Sequence, residues 1–464
     1  MDWPVLNLLD RCYLESACER GSGALASSLL IRNAELVVPE GDPWLGDVLV
    51  KNGQIAEIGQ HLAAEGVARV IDAEGHTLMP GVIDPQVHFR EPGREHKEDL
   101  QTGSWACARG GVTSFLEMPN TDPLTIDQAT LDDKLARAAS KCVVNYGFFI
   151  GATADNLKEL QTVQGACGIK IFMGSMHGPL LVDDQAALER IFGETDPNFL
   201  IAVHAEDLSR IKARKALFAG RTDVAVHSQI QDEESALIAS RRALDLATRY
   251  RHRLHILHLS TGLEVELLRQ HKPAWVTAEV TPQHLLLSTA DYARLGSLAQ
   301  MNPPLRDPAN LAQLWQGLHD GILDCIATDH APHTLEEKAQ PYPHSPSGMP
   351  GVETALPLML TAAQQGRCTL AQVVQWMCEA PARLYRIPNK GRLQVGYDAD
   401  LVLVDRHTPK PVRREELLTK CGWSPFEGWE LVGWPLVTIV GGQIAFQNGQ
   451  VDPSVRGKAL QFQR

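Results

Sequence analysis

Asp84, Gln86 and His88 alternate along residues 82–88, so in a strand their side chains share one face. The run then breaks into Phe89-Arg90-Glu91-Pro92-Gly93, a guanidinium followed by a turn. A polar row at the end of an apolar strand is costly unless it binds something. Other apolar runs finish in similar groups. Residues 169–173 carry Lys170, 199–204 end in His204, and 253–259 hold His255 and His258. Residues 325–328 run into Asp329, with His330 and His333 behind it. One histidine at a strand end is more often structural than a ligand. Imidazoles from His88, His204 and His258 with the Asp329 carboxylate make a zinc-type donor set. His255 and His258 have odd spacing and cannot both point inward on an ideal strand. His258, nearer the strand end, is the expected ligand. Lys170 cannot ligate as an ammonium. Its neutral amine, which burial near positive charge favours, can react with CO2 to give a carbamate with two ligating oxygens.

These residues need a frame that brings strand ends together. Eight apolar runs recur, at 82–88, 113–118, 143–150, 169–173, 199–204, 253–259, 274–280 and 325–328. Helix-like segments lie between them at 128–140, 183–192, 233–250, 263–270 and 308–318. Strands alternating with helices predict a parallel sheet, and eight units over 81–390 predict a (β/α)8 barrel with its chemistry at the C-terminal strand ends. A doubly wound open sheet would call for a Gly-rich phosphate loop after the first strand, and none is present. Residues 366–389 read as a closing helix limited by Pro381, and 336–347 as a mobile loop near the site. Short strands fill 28–80, with Asn52-Gly53 as a hairpin turn, and 391–464, with Gly441-Gly442 as another. The two ends are expected to pack as one small β-sandwich domain. Residues 1–27 read as an extension ahead of the first strand.

The 464 residues are too many for one small core. A formal charge of −13 without long basic runs argues against a nucleic-acid-binding surface. The nine cysteines are odd in number and never spaced Cys-x-x-Cys, which fits free thiols in a reducing cytoplasm. No run of about 18 apolar residues predicts a membrane helix, and the first 25 residues do not read as a signal peptide.

From about residue 29 to 450 the chain resembles the amidohydrolase superfamily, and within it the dihydroorotases of the bacterial and multifunctional-animal type. The resemblance is carried by His88-Phe89-Arg90-Glu91-Pro92-Gly93, Met118-Pro119-Asn120-Thr121, Met301-Asn302-Pro303-Pro304-Leu305-Arg306 and the run Thr328-Asp329-His330-Ala331-Pro332-His333 to Lys338. Gly348-Met349-Pro350-Gly351-Val352-Glu353 and Trp423-Ser424-Pro425-Phe426-Glu427-Gly428 add to it. It implies a barrel with a β domain from both chain ends. It implies reversible closure of N-carbamoyl-L-aspartate to L-dihydroorotate, in pyrimidine biosynthesis. One or two zinc ions per chain are implied, an alpha ion on His88 and Asp329 and a beta ion on His204 and His258, bridged by a carbamate on Lys170. Arg90, Asn120, Asn302 and His333 would hold the substrate, mainly its carboxylate. Asp329 would shuttle the proton. A homodimer and association with aspartate transcarbamoylase are further implied partners. Hydantoinases and allantoinases share the metal frame but not the substrate carboxylate, so Arg90 separates them; allantoinases resemble this stretch with Asn at that place. The bland alternative for Arg90 is a salt bridge to Glu91 or Glu95.

The chain departs from the family at one ligand. Gln86-Val87-His88 stands where the family has His-x-His. Gln86 ligates weakly, or the alpha ion rests on the other ligands, or only the beta site fills. Two alternative functions follow: a catalytically impaired structural partner of aspartate transcarbamoylase, and a hydantoinase- or allantoinase-type cyclic amidase.

Overall fold

The computed structural model describes residues 28–38, 41–175 and 178–463. The expectation for residues 1–27 lies outside the described residues. All eight expected barrel strands form. They run Val82–Val87, Val112–Glu117, Asn145–Phe148 continued by Ile150–Gly151, Ile169–Phe172, Ile201–His204, Leu254–Ile256, Val276–Val280 and Cys325–Ile326. Neighbours pair in parallel, and the His88 backbone N–H donates to His330 O at 2.8 Å to close the ring. The chain is therefore a (β/α)8 barrel with a β domain.

Helices cover the outside, and side-chain caps start several of them. Asp99, Asp127, Asp184, Asp207, Asp232 and Thr261 each accept from a backbone N–H of the first turn, satisfying donors that a helix start leaves open. The helix Glu233–Tyr250 shows why these segments lie down on the sheet. Ala236, Ala239, Ala243 and Ala247 recur at helical spacing and are all buried. Pro381 does not limit the closing helix. The chain stays helical from Leu370 through Leu384, and a π turn at Gln375–Glu379 lies just before Pro381, so the proline sits inside the helix beside a local break in its regular hydrogen bonding.

The two chain ends share one nine-stranded sheet. Thr77–Pro80 pairs antiparallel with Leu401–Asp405, so strands from 28–80 and 401–451 are continuous in hydrogen bonding. Leu29, Ile31, Val48, Leu78, Leu401 and Ile439 form the core of this domain. Asn52 and Gly53 both take positive φ in the expected hairpin turn. The sheet feeds the site directly, since Thr77–Pro80 passes through Gly81 into the first barrel strand. A side chain at Gly81 would meet Thr113 Oγ1 at 2.2 Å, so the strand can lie against its neighbour only with glycine there.

Candidate active site

The strand ends converge on a cavity of about 90 Å³. Gln86, His88, Arg90, Asn120, Lys170, His204, His258, Asn302 and Asp329 all line it. His333 stands behind Arg90, its Nε2 3.3 Å from Arg90 Nη2. Every residue expected from the sequence is thus brought to one place.

The histidine pairs show what the place is built to hold. His88 Nδ1 lies 2.7 Å from Asn120 Oδ1, so it is the donor there, and its Nε2 lies 3.2 Å from Asp329 Oδ1. Burial holds the His88 imidazole below its usual pKa, which favours the neutral form. A neutral ring that donates from Nδ1 turns its Nε2 lone pair to a carboxylate, and two acceptors at that distance need a cation between them. His204 repeats the arrangement. Its Nε2 lies 2.8 Å from Glu206 Oε2, which can only accept. The Nδ1 lone pair is then aimed at His258 Nε2, 2.9 Å away. A carboxylate behind an imidazole is the usual support of a metal-binding histidine. Lys170 Nζ and His258 Nδ1 are buried without a hydrogen-bond partner, and an orphaned polar atom in a core is costly. Burial pushes Lys170 down to about 7. The donor set fits a divalent metal.

Gln86 is oriented by Asp329. Its Nε2 donates to Asp329 Oδ1 at 3.0 Å, since a carboxylate cannot donate, and its buried Oε1 has no partner. The amide thus steadies the carboxylate and turns its nitrogen, which cannot ligate, to the alpha side. Gln86→His should add a ring nitrogen there and tighten the alpha ion about tenfold or more. Metal per chain after dialysis against a weak chelator would measure this, and equal content in both forms would count against it.

His258 escapes the alternation that made its spacing with His255 look awkward. The strand ends at Ile256, and His258 takes φ of 35°, a left-handed conformation that turns it back toward His204. Its backbone N–H donates to Glu279 Oε1 at 3.3 Å. His255 bridges Thr277 Oγ1 at 2.8 Å and Glu279 Oε2 at 2.9 Å. His255, Glu279 and Cys325 lie close enough to hold an ion. Both ring nitrogens of His255 and both Glu279 oxygens already have partners, so the trio reads as the support under His258.

Arg90 has no acid. It is buried, takes φ of 67°, and donates from Nε to Pro332 O at 3.1 Å. Among the described residues no carboxylate forms an ion pair with it. The alternative salt bridges are absent because Glu91 holds Lys141 and the Leu100 N–H, while Glu95 accepts from the Gly93 N–H. Burial pulls the Arg90 guanidinium down to about 10. Gly93, at φ of 95° with Asp122 O where a Cβ would sit, makes the turn that returns this arm.

Four supporting residues were not singled out by sequence reasoning. Glu206, two residues beyond His204, accepts from that histidine's Nε2. His227 Nε2 donates to Asn302 Oδ1 at 2.8 Å, which leaves the Asn302 amide nitrogen free to donate elsewhere. Lys97 contacts His333. Lys338, fully buried, donates to the carbonyls of Gln300, Pro346 and Gly348. The loop expected to be mobile is therefore pinned beside the cavity, where Ser347 and Gly348 line the wall. Only Glu206 carried a local signal, its adjacency to a strand-end histidine.

Comparison with known proteins matches residues 77–445 to the amidohydrolase family. A dihydroorotase of Methanosarcina acetivorans is 36% identical over 428 residues, covering 89% of this chain and 91% of that one. A dihydroorotase of Bacillus cereus is 35% identical, covering 90% and 98%. Among solved structures, an L-hydantoinase (dihydropyrimidinase) from Arthrobacter aurescens superposes with a TM-score of 0.89 at 31% identity, covering 94% of this chain and 99% of that one.

Proposed function

The chain belongs to the amidohydrolase family, and we propose that within it this protein is a dihydroorotase, a metal-dependent hydrolase of a cyclic amide that bears a carboxylate. The observation that carries the substrate is Arg90. A buried cation without a contacting ion-pair partner is costly until an anion reaches it, and a guanidinium grips a carboxylate through two parallel bonds. The same lack of a partner acid weighs against a hydantoin, which has no carboxylate. Several relatives share the dihydroorotase name, while the hydantoinase likeness reports a common barrel.

The proposed roles follow the contacts. His88, His204, His258, Asp329 and Lys170, as its carbamate, hold one or two zinc ions. Bound there, zinc acidifies the attacking water and polarises the ring carbonyl. Arg90 and His333 take the substrate carboxylate. Asn120, whose oxygen is held by His88, and Asn302, whose oxygen is held by His227, each turn an amide N–H₂ to the substrate. Asp329 Oδ1 accepts from Gln86 Nε2, and its other oxygen has no hydrogen-bond partner among the described residues. That oxygen takes the proton from the attacking water and passes it to the departing ring nitrogen; ring closure runs the steps in reverse. Lys170 loads with carbamate when its neutral amine attacks CO2, forming N–C and releasing one proton. The domains of this reading are a barrel over 81–390 and a β domain from 28–80 and 391–464.

The test is ring opening of dihydroorotate by protein incubated with zinc and bicarbonate. Turnover that a chelator abolishes is expected. Absence of turnover in this protein, with activity appearing in Gln86→His, would instead point to a structural partner of aspartate transcarbamoylase with a crippled alpha site. Hydrolysis of a hydantoin but not of dihydroorotate would give the site to a different cyclic amidase.

A further inference from the structure

Lys97 lies outside the set of groups that touch the cavity, yet it fixes one of them. Its Nζ is 3.0 Å from His333 Nδ1 and 3.1 Å from Glu337 Oε1, and the side chain is mostly buried. An ammonium has three donors and no acceptor. His333 Nδ1 must therefore accept, and the ring proton sits on Nε2. The other edge agrees independently. His333 Nε2 lies 3.1 Å from Ser347 O, and a carbonyl only accepts. Trp423 Nε1 donates to the His333 backbone carbonyl at 2.8 Å, which fixes the main chain from which the ring projects.

The consequence lies at Arg90. Its Nη2 is 3.3 Å from His333 Nε2. Both are donors, so neither satisfies the other; the Nε2–H, which Ser347 O accepts in the ligand-free protein, would be shared with a carboxylate that also takes the Arg90 N–H. The opposite tautomer is within reach of the same surroundings. Glu337 Oε2 is 3.6 Å from His333 Nδ1 and would draw the proton to that side if Lys97 were absent. Nε2 would then turn a lone pair to the incoming carboxylate.

We propose that Lys97 is a positioning residue that locks His333 in its Nε2–H tautomer, so that Arg90 and His333 offer paired donors to the substrate carboxylate. The proposal rests on the dihydroorotase reading for its substrate and on the hydrogen-bond geometry alone for its tautomer. Its two halves are tested separately.

The tautomer is read from the ¹⁵N shifts of histidine-labelled, ligand-free protein, with His333→Asn identifying the signals. The unmodified protein should show an unprotonated Nδ1 and a protonated Nε2 at His333. Lys97→Met should move the proton toward Nδ1, and Lys97→Arg, which keeps a permanent donor, should hold it. In kinetics, Lys97→Met should raise KM for dihydroorotate about ten- to a hundredfold with kcat changed little, the loss of a donor in binding. Lys97→Arg should recover most of the affinity. An Nδ1–H or doubly protonated His333 in the unmodified protein would overturn the proposal, as would a Lys97→Met protein with unchanged shifts and KM. A tautomer that moves as expected in a protein that never turns over dihydroorotate would sink the substrate reading and leave the Lys97–His333 assignment standing.

Discussion

Replacing Arg90 with methionine should lower kcat/KM for dihydroorotate about a thousandfold while making the ligand-free protein no less stable. The two halves come from the same fact. Arg90 is buried without a carboxylate in ion-pair contact among the described residues, so no ion pair offsets its desolvation until substrate arrives. Truncating one member of a buried, hydrogen-bonded charge pair costs ~4 kcal/mol in binding, and each ~1.4 kcal/mol is tenfold. In the free protein the same truncation removes a desolvated cation and leaves one carbonyl, Pro332 O, short of a donor. Thermal unfolding of Arg90→Met should therefore occur at the same temperature or higher. Arg90→Lys should recover only a small part of the rate, since an ammonium lacks the planar fork that can reach Pro332 O and a carboxylate together. A lysine or methionine variant that binds dihydroorotate like the unmodified protein would remove the main support for a carboxylate substrate. A large loss of stability would mean that Arg90 is a structural cation after all.

Lys170→Ala should be the other severe change, with kcat falling by about a thousandfold or more and bound metal lost. Metal assistance supplies roughly several kcal/mol of transition-state stabilisation, at ~1.4 kcal/mol per tenfold. Lys170 Nζ has no hydrogen-bond partner, so the side chain does little for the fold in its free form. Metal-free Lys170→Ala should unfold no earlier than metal-free unmodified protein apart from the small cavity left behind. The pH dependence of loading follows from the depressed pKa of about 7. Below it the amine is protonated and cannot attack CO2; above it the amine is neutral. Reactivation of metal-free protein by zinc and bicarbonate should rise as pH increases through about 7. Labelled bicarbonate should give a ¹³C carbamate signal that Lys170→Ala lacks. Full metal content and turnover in Lys170→Ala would show that no carbamate is needed.

Both experiments also bear on Gln86. An alpha site that holds only His88 and Asp329 would make the Lys170 carbamate a larger share of the remaining ligands there. Loss of metal in Lys170→Ala should then be more complete than in a Lys170→Ala/Gln86→His double variant. One hydrogen bond, Gln86 Nε2 to Asp329 Oδ1, turns the amide nitrogen toward the alpha side.

The sequence by itself determined the frame. Eight apolar runs alternating with helical spacing led to the barrel, because burial of one face imposes a period that local sequence must carry. The hairpin at Asn52-Gly53 was legible for the same reason, since positive φ at both positions selects those residues locally. His88, His204, His258 and Asp329 were legible as candidates because a barrel places chemistry at strand ends. Continuity between the chain ends was expected from their texture, but the pairing of Thr77–Pro80 with Leu401–Asp405 is a register that only the fold sets.

Tertiary structure decided everything that depends on which distant groups meet. Lys97 and His333 are 236 positions apart, Gln86 and Asp329 are 243, and neither contact has a periodic signal. The spacing of His255 and His258 seemed to exclude one of them, until a left-handed residue beyond the strand end let both turn to buried polar partners. The lack of an acid at Arg90 is of the same kind. Glu91 and Glu95 are close in sequence, and packing gave them to other partners. A charge's worth depends on the dielectric and the donors around it after folding, and those are supplied by residues that local sequence does not bring together.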